Sequence, residues 1–231
     1  MTGAAFSYAL LAALATALLV AAVTDWRSRT IANTLNLAIA LAAPLWWLAT
    51  DLPLSAIGWQ LALAAGTFAV AALLFAAGQM GGGDVKLLTA LALWFAPASF
   101  FQLFVLMAIL GGGGSLAMAL FNMQRDREAR TADTLAMLAT VLAIGCLTAM
   151  AIATATHGPL IPPAAIVFVA NTMPNIWLIF AALLVLVVLL TWGLRRVMRR
   201  QKSRIEVPYG IAIAAAALWV IGTEMLATIT A

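Results

Sequence analysis

The sequence predicts an all-α protein, a polytopic transmembrane helical bundle of about eight crossings, and three observations carry that prediction. Of the 231 residues, 65% are hydrophobic and only 9% charged, against roughly 45–50% apolar and 25% charged in an ordinary soluble domain. Mean hydropathy is +1.09, and several apolar runs approach the about 20 residues that cross a hydrocarbon core. None of the runs alternates as a strand would, so helices rather than a barrel satisfy the backbone in lipid. The net charge of +4 would suggest an acidic partner in a soluble protein. In a membrane protein Lys and Arg first report topology, and no nucleic acid is expected as a partner. The single Cys146 lies in an apolar run without a second cysteine, which leaves no disulfide or cysteine metal site within the chain.

The first apolar run, 4–23, has no basic segment before it and is followed by Arg27 and Arg29. It reads as a retained helix with its N-terminus outside. A polar stretch, 24–33, separates it from a second span, 34–49, for which Asn33 is the expected N-cap. Trp46 and Trp47 suit the far interface of that span. After a turn around Asp51, Pro53 and Ser55, a third span, 57–80, delivers the chain to Gly81-Gly82-Gly83-Asp84-Val85-Lys86. The run 87–95 is apolar but short, and Pro97 and Ser99 interrupt before 100–121. Two crossings, the first of them short, fit better than one kinked crossing, because Arg125, Arg127 and Arg130 then share a side with Lys86.

Within the fifth span, Gly111-Gly112-Gly113-Gly114 would let another helix approach closely. A sixth span, 135–156, leads to an outer connection rich in helix breakers, from His157-Gly158-Pro159 through Pro162 and Pro163 to Pro174, whose middle, 164–170, dips toward the bilayer. A seventh, 175–194, ends in Arg195, Arg196, Arg199, Arg200, Lys202 and Arg204. The last begins at Val207-Pro208-Tyr209-Gly210 and runs to 229, with Pro208 in its first turn. Counted this way, the inner loops hold two, one, three and six basic residues, all 12 in the chain. That tally places both termini outside and puts Asp25 and Asp84 at the cytoplasmic face.

Ionisable residues at a membrane boundary are functional candidates by default. Asp25 closes the first span and Asp84 opens the fourth, so the two meet if those helices pack side by side. Paired carboxylates split their proton affinities, one remaining protonated where the other is ionised. Such a pair can activate water against a peptide carbonyl and protonate the developing oxyanion without a nucleophile, metal or cofactor. The glycines before Asp84 leave backbone that an extended substrate can approach. Alone, Asp25 would read as a solvated helix-end residue paired with Arg27 or Arg29, and the company of Asp84 reverses that reading.

Gly81-Gly82-Gly83-Asp84 fits the Gly-x-Gly-Asp signature of membrane aspartyl proteases, and Val85-Lys86-Leu87-Leu88 resembles its prepilin peptidase version. Asp25 with Arg27, Arg29, Ile31 and Asn33 resembles the other half of that family's pattern, and Pro208-Tyr209-Gly210 followed by Ile211-Ala212-Ile213 the start of its last helix. The resemblance covers about residues 1–122 and the last span. It implies a type IV prepilin peptidase whose catalytic pair is Asp25 and Asp84. Gly81, Gly82, Gly83, Lys86, Arg29 and Asn33 would form the substrate-binding loops. The expected partners are a pilin-like precursor, membrane lipid and other pilus or secretion components, with the site at the cytoplasmic face of the bacterial inner membrane.

Only the ten residues 24–33 separate the first two spans, so the chain resembles the small branch serving tight-adherence (Flp) pili, without a methyltransferase domain. It departs from the pattern at Ala32, where the family usually has proline. It also departs in a two-span segment, about 123–204, inserted into a single membrane domain whose family-like core is 1–122 and 205–231.

Other polar residues have plainer readings. Glu224 snorkels outward, and Gln60, Gln79, Gln102 and Asn36 hydrogen-bond between helices. His157 stands alone on the outer side. Two rival classes are an ion- or proton-coupled transporter, which would hold its acids near the midplane, and a non-catalytic assembly factor, which would need no aspartates.

Overall fold

The computed structural model describes residues 2–124, 129–156, 158–159, 161, 163–172, 175–203 and 208–230. Arg125, Arg127, His157, Pro162, Pro174, Arg204 and Val207, which the topology reading used, lie outside the described residues. The described chain is helical: α1 (Thr2–Ser28), α2 (Asn33–Ala49), α3 (Leu54–Ala76), α4 (Gly82–Leu91), α5 (Pro97–Phe121), α6 (Arg130–Ala155), α7 (Pro163–Thr172), α8 (Ile176–Arg199) and α9 (Tyr209–Thr230). Six of these, α1, α3, α5, α6, α8 and α9, are long and apolar enough to cross a membrane. The polytopic helical bundle is therefore the architecture of this multi-pass membrane protein. At 1.5 Å per residue the 17-residue α2 rises about 25 Å and the 10-residue α4 about 15 Å, half a hydrocarbon core.

The chain forms two compact units, 1–108 with 208–231, and 109–207. Their boundary falls inside α5. In the first unit α1 packs on α2 and α9, and α4 packs on α2, α3 and α9. Val85, Leu87, Leu88, Ala90 and Leu91 of α4 are buried, so this short helix is the core of the unit.

A series of side-chain bonds fastens α2 to α4. Lys86 Nζ donates to Asn33 Oδ1 at 2.7 Å and Asn36 Nδ2 to the Gly83 carbonyl at 3.2 Å. Trp94 Nε1 donates to the Ile39 carbonyl at 2.9 Å and Trp47 Nε1 to the Leu93 carbonyl at 2.8 Å. Trp46 stacks on Trp94, ring centroids 5.9 Å apart. Trp46 and Trp47 were expected at the far interface of their span. They join the two helices, and Trp47 satisfies a carbonyl just past the end of α4 that no turn of helix follows to pair.

Other local expectations change as well. The N-cap of α2 is Ala32, not Asn33, and it makes no side-chain cap; the Asn33 oxygen is engaged by Lys86. Ala32 already holds φ −62°, the angle a proline ring would impose, so alanine in place of the expected proline leaves the backbone path unchanged. Helix α1 continues through Asp25 to Ser28, beyond the expected end of the span. Pro97 is the first residue of α5, where its missing amide costs nothing, and Pro208 immediately precedes α9. Among the four residues expected to bond between helices, Asn36 does so. Gln79 turns back to the Ala77 carbonyl, and the Gln60 oxygen is buried with no hydrogen-bond partner. Glu224 is exposed and accepts a hydrogen bond from Ser99 Oγ.

In the second unit α6 packs on α8. The close helix approach expected at the glycine tract is absent at Gly112, Gly113 and Gly114, where a Cβ would meet nothing within 4 Å. It occurs at Gly193 of α8, where a Cβ would lie 2.7 Å from Ala139 Cβ and 3.2 Å from the Ala136 carbonyl oxygen of α6. Beside that contact Asp133, 2% exposed, accepts from Arg196 Nε at 2.8 Å and Arg200 Nη1 at 3.0 Å. Cys146 of α6 is exposed.

Candidate active site

Asp25 comes from α1 and Asp84 from α4, two helices that share α2 and α9 as neighbours. The two side chains are 7% and 8% exposed. Each lies against the beginning of a helix, where free amides and the aligned peptide dipoles present partial positive charge.

For Asp84 that helix is its own. Gly81 is the N-cap of α4 and Asp84 is the third residue inside it, so its carboxylate can reach back to the N-cap amide as the acid of a capping box does. The Gly81 amide acts on this carboxyl, and the fold-back explains the glycine, because a Cβ at 81 would lie 2.9 Å from Asp84 Oδ2. For Asp25 the helix is α9. The amides of Gly210 and Ile211 are near enough to act on its charge, although Oδ2 accepts no hydrogen bond of normal geometry. A Cβ at 210 would lie 2.8 Å from that oxygen and 2.9 Å from Asp25 Cγ.

Ile31 joins the two halves. A Cβ on Gly83 would lie 3.2 Å from Ile31 Cβ, and one on Gly210 would lie 2.9 Å from Ile31 Cδ1. The glycines thus let the α1–α2 connection, α4 and α9 close around the acids. Gly82 faces the Phe75 ring, 3.4 Å from its would-be Cβ. Only Gly81 of the three is exposed, so the open backbone expected along the whole run is confined to that position.

Burial pushes the Asp84 carboxyl up from 3.8 to about 6, and the negative charge of Asp25 adds to the rise while the Gly81 amide opposes it. Two carboxylates from distant parts of the chain are therefore within electrostatic reach of each other. Below pH 3.8 the folded and unfolded states both hold the Asp84 proton. Between about pH 4 and 6 the folded state keeps the proton that the unfolded state releases, so stability falls as pH rises and is flat beyond. That gap corresponds to about 3 kcal/mol. In detergent, Asp84→Asn should raise the thermal stability at pH 8 by up to about 3 kcal/mol and change it little at pH 4. An equal effect at both pH values would show that burial does not hold this proton.

Of the flanking residues expected at the site, Arg29 is the cation beside Asp25. It is held in the left-handed region at φ 55° while its amide bonds the Asp25 carbonyl at 3.0 Å. That conformation is uncommon for a residue with a Cβ, and it ends α1 while keeping the guanidinium on the acid's side. Lys86 and Asn33 bond each other and hold α4 against the start of α2. Arg27 is exposed.

No curated protein and no solved structure matches the chain at a significant level. Residues 12–116 match the type IV leader peptidase family, a segment that contains Asp25, Asp84 and the whole run between them. The likeness to the type IV leader peptidase family is therefore carried by this segment, which takes in both aspartates and the glycine run.

Proposed function

We propose that the protein is an aspartic endopeptidase that removes the short leader from type IV, Flp-like prepilins at the cytoplasmic face of the bacterial inner membrane. The observation that carries this reading is the buried pair itself: Asp84 held near 6 partly by the charge of Asp25. In this reading Asp84 keeps the shared proton, and Asp25, facing the amides that open α9, carries the charge. The Asp25 carboxylate takes a proton from water as the water oxygen attacks the peptide carbonyl, and Asp84 gives its proton to the forming oxyanion. As the tetrahedral intermediate collapses, Asp25 passes its new proton to the leaving amine, and Asp84 recovers its own from the hydroxyl that returns to a carbonyl. Arg29 and the Lys86–Asn33 pair line the approach as substrate-binding groups, and Gly81 offers exposed backbone to an extended strand.

The test is co-expression of the protein with an Flp-type precursor and, separately, with a longer type IV pilin precursor, reading product masses. Removal of the leader from the Flp precursor at a single bond supports the proposal. If both precursors stay intact beside properly inserted enzyme, the leader-peptidase function is wrong. If only the longer precursor is cut, the branch assignment is wrong.

A further inference from the structure

Helix α8 carries two parallel rows of side chains, each spaced by four residues and each changing from apolar to basic along the helix. One row is Val187, Thr191, Arg195 and Arg199; the other is Val188, Trp192, Arg196 and Arg200. Together they line one furrow of 570 Å³. Residues four apart stack on one face of a helix, so each row rises about 18 Å from hydrocarbon-like to cationic surface.

The two rows are prepared differently. Gly193 and Val197 are the buried residues of α8, and they face α6. Arg195 and Arg199 lie two positions further along, about 200° around the helix, and point away from α6. Both are exposed and, among the described residues, neither has a carboxylate or other hydrogen-bonding partner. Arg196 and Arg200 flank the helix contact and are fixed by the buried Asp133, with the Arg196 guanidinium 5.7 Å from the Trp192 ring centroid. Among the described residues, one carboxylate stands against four guanidiniums, so the furrow is cationic. The apolar end continues into the part of α8 that is exposed throughout, from Phe180 to Leu189, as lipid-facing surface is.

We propose that this furrow is a binding site for an anionic phospholipid of the leaflet at the basic end of α8. Its phosphate would sit between Arg195 and Arg199, and an acyl chain would lie along Val187 and Val188. Topology alone would be served by basic residues in any arrangement. What it leaves unexplained is the fixing of Arg196 and Arg200 by a buried acid beside two unpaired guanidiniums, over an apolar track aligned with them. Arginine also suits phosphate better than lysine would, because its planar fork can donate two parallel hydrogen bonds. An acidic protein segment would find the charge but would not use the apolar half of the furrow. The site gives the segment that carries α8 a role in seating the protein in its membrane.

The experiment uses the purified full-length protein in detergent, titrated with dioleoyl phosphatidylglycerol, dioleoyl phosphatidylcholine, inorganic phosphate or a soluble poly-glutamate peptide, with the thermal unfolding midpoint as readout. Phosphatidylglycerol should raise the midpoint saturably, while the other three probes should not. In the Arg195→Gln/Arg199→Gln variant its half-saturating concentration should rise about thirtyfold, the effect of two surface charges on an anionic membrane. The midpoint in phosphatidylcholine should stay at the wild-type value, which shows that the variant is folded. Equal responses to the two lipids, an unchanged half-saturation in the variant, or a response to phosphate or poly-glutamate as large as that to phosphatidylglycerol would each overturn the proposal.

Discussion

Asp25→Asn and Asp84→Asn should each insert and fold yet cut the Flp precursor about 10²–10⁴-fold more slowly than the wild type, the range that a positioned acid or base contributes. Asparagine matches aspartate in size and keeps a carbonyl oxygen, so neither change opens a cavity beside Ile31. What each removes is the ability to exchange a proton. The two losses should also fail to add: once one carboxyl is gone the other has no partner to share with, so the double variant should be about as slow as the worse single one, as groups acting as a unit are. Single-turnover cleavage with a synthetic precursor in detergent would measure all three. A single variant that retained near wild-type turnover would remove that aspartate from the chemistry.

Gly210→Ala should be nearly as damaging, without touching an ionisable group. The new methyl would sit 2.8 Å from Asp25 Oδ2, 2.9 Å from Cγ and 2.9 Å from Ile31 Cδ1, closer than carbon atoms pack. The Ile31 methyl is the end of a side chain and can rotate aside at modest cost, but the Asp25 carboxyl can make room only by leaving its place beside the amides of α9. A displacement of about 1 Å at a reacting group costs on the order of 10²-fold in rate. Gly222→Ala is the control: it lies on the same helix, and its Cβ would meet nothing within 4 Å. That variant should cleave normally and gain the up to about 1 kcal/mol by which alanine exceeds glycine inside a helix. If Gly210→Ala cleaved as fast as Gly222→Ala, the start of α9 would have no part in positioning Asp25.

What could be read from the sequence follows the physics of each feature. The spans were legible because lipid tolerates little but apolar side chains, and the two acids because a carboxylate beside such runs is costly enough to stand out. Expected and observed helices then differ by a few residues, as at α1, whose final turns carry Asp25 past the apolar run that ends at Val23. Gly210 was legible only as part of a family-like pattern; its contact with Asp25 spans nearly the whole chain, and no local periodicity encodes it. The N-cap of α2 was misplaced because Asn33 has the right chemistry for a cap, and Lys86, 53 positions away, competes for the same oxygen. Asp133 drew no notice, since an acid at the polar end of a span reads as solvated until Arg196 and Arg200 are seen to close over it. The glycine tract 111–114 and the lone Gly193 show the same limit from the other side: small residues permit a close approach, and the neighbouring helix decides where it happens.

The pairing of the two aspartates is most directly measured by titrating the Asp84 carboxyl, through its carbon-13 resonance in selectively labelled protein, in the wild type and in Asp25→Asn. Burial is the larger cause of the elevation and Asp25 the second. The wild-type carboxyl should therefore titrate at about 6 and the variant's at a lower pH that still exceeds 3.8. A midpoint that does not move when Asp25 loses its charge would contradict a shared proton, and with it the proposed dyad.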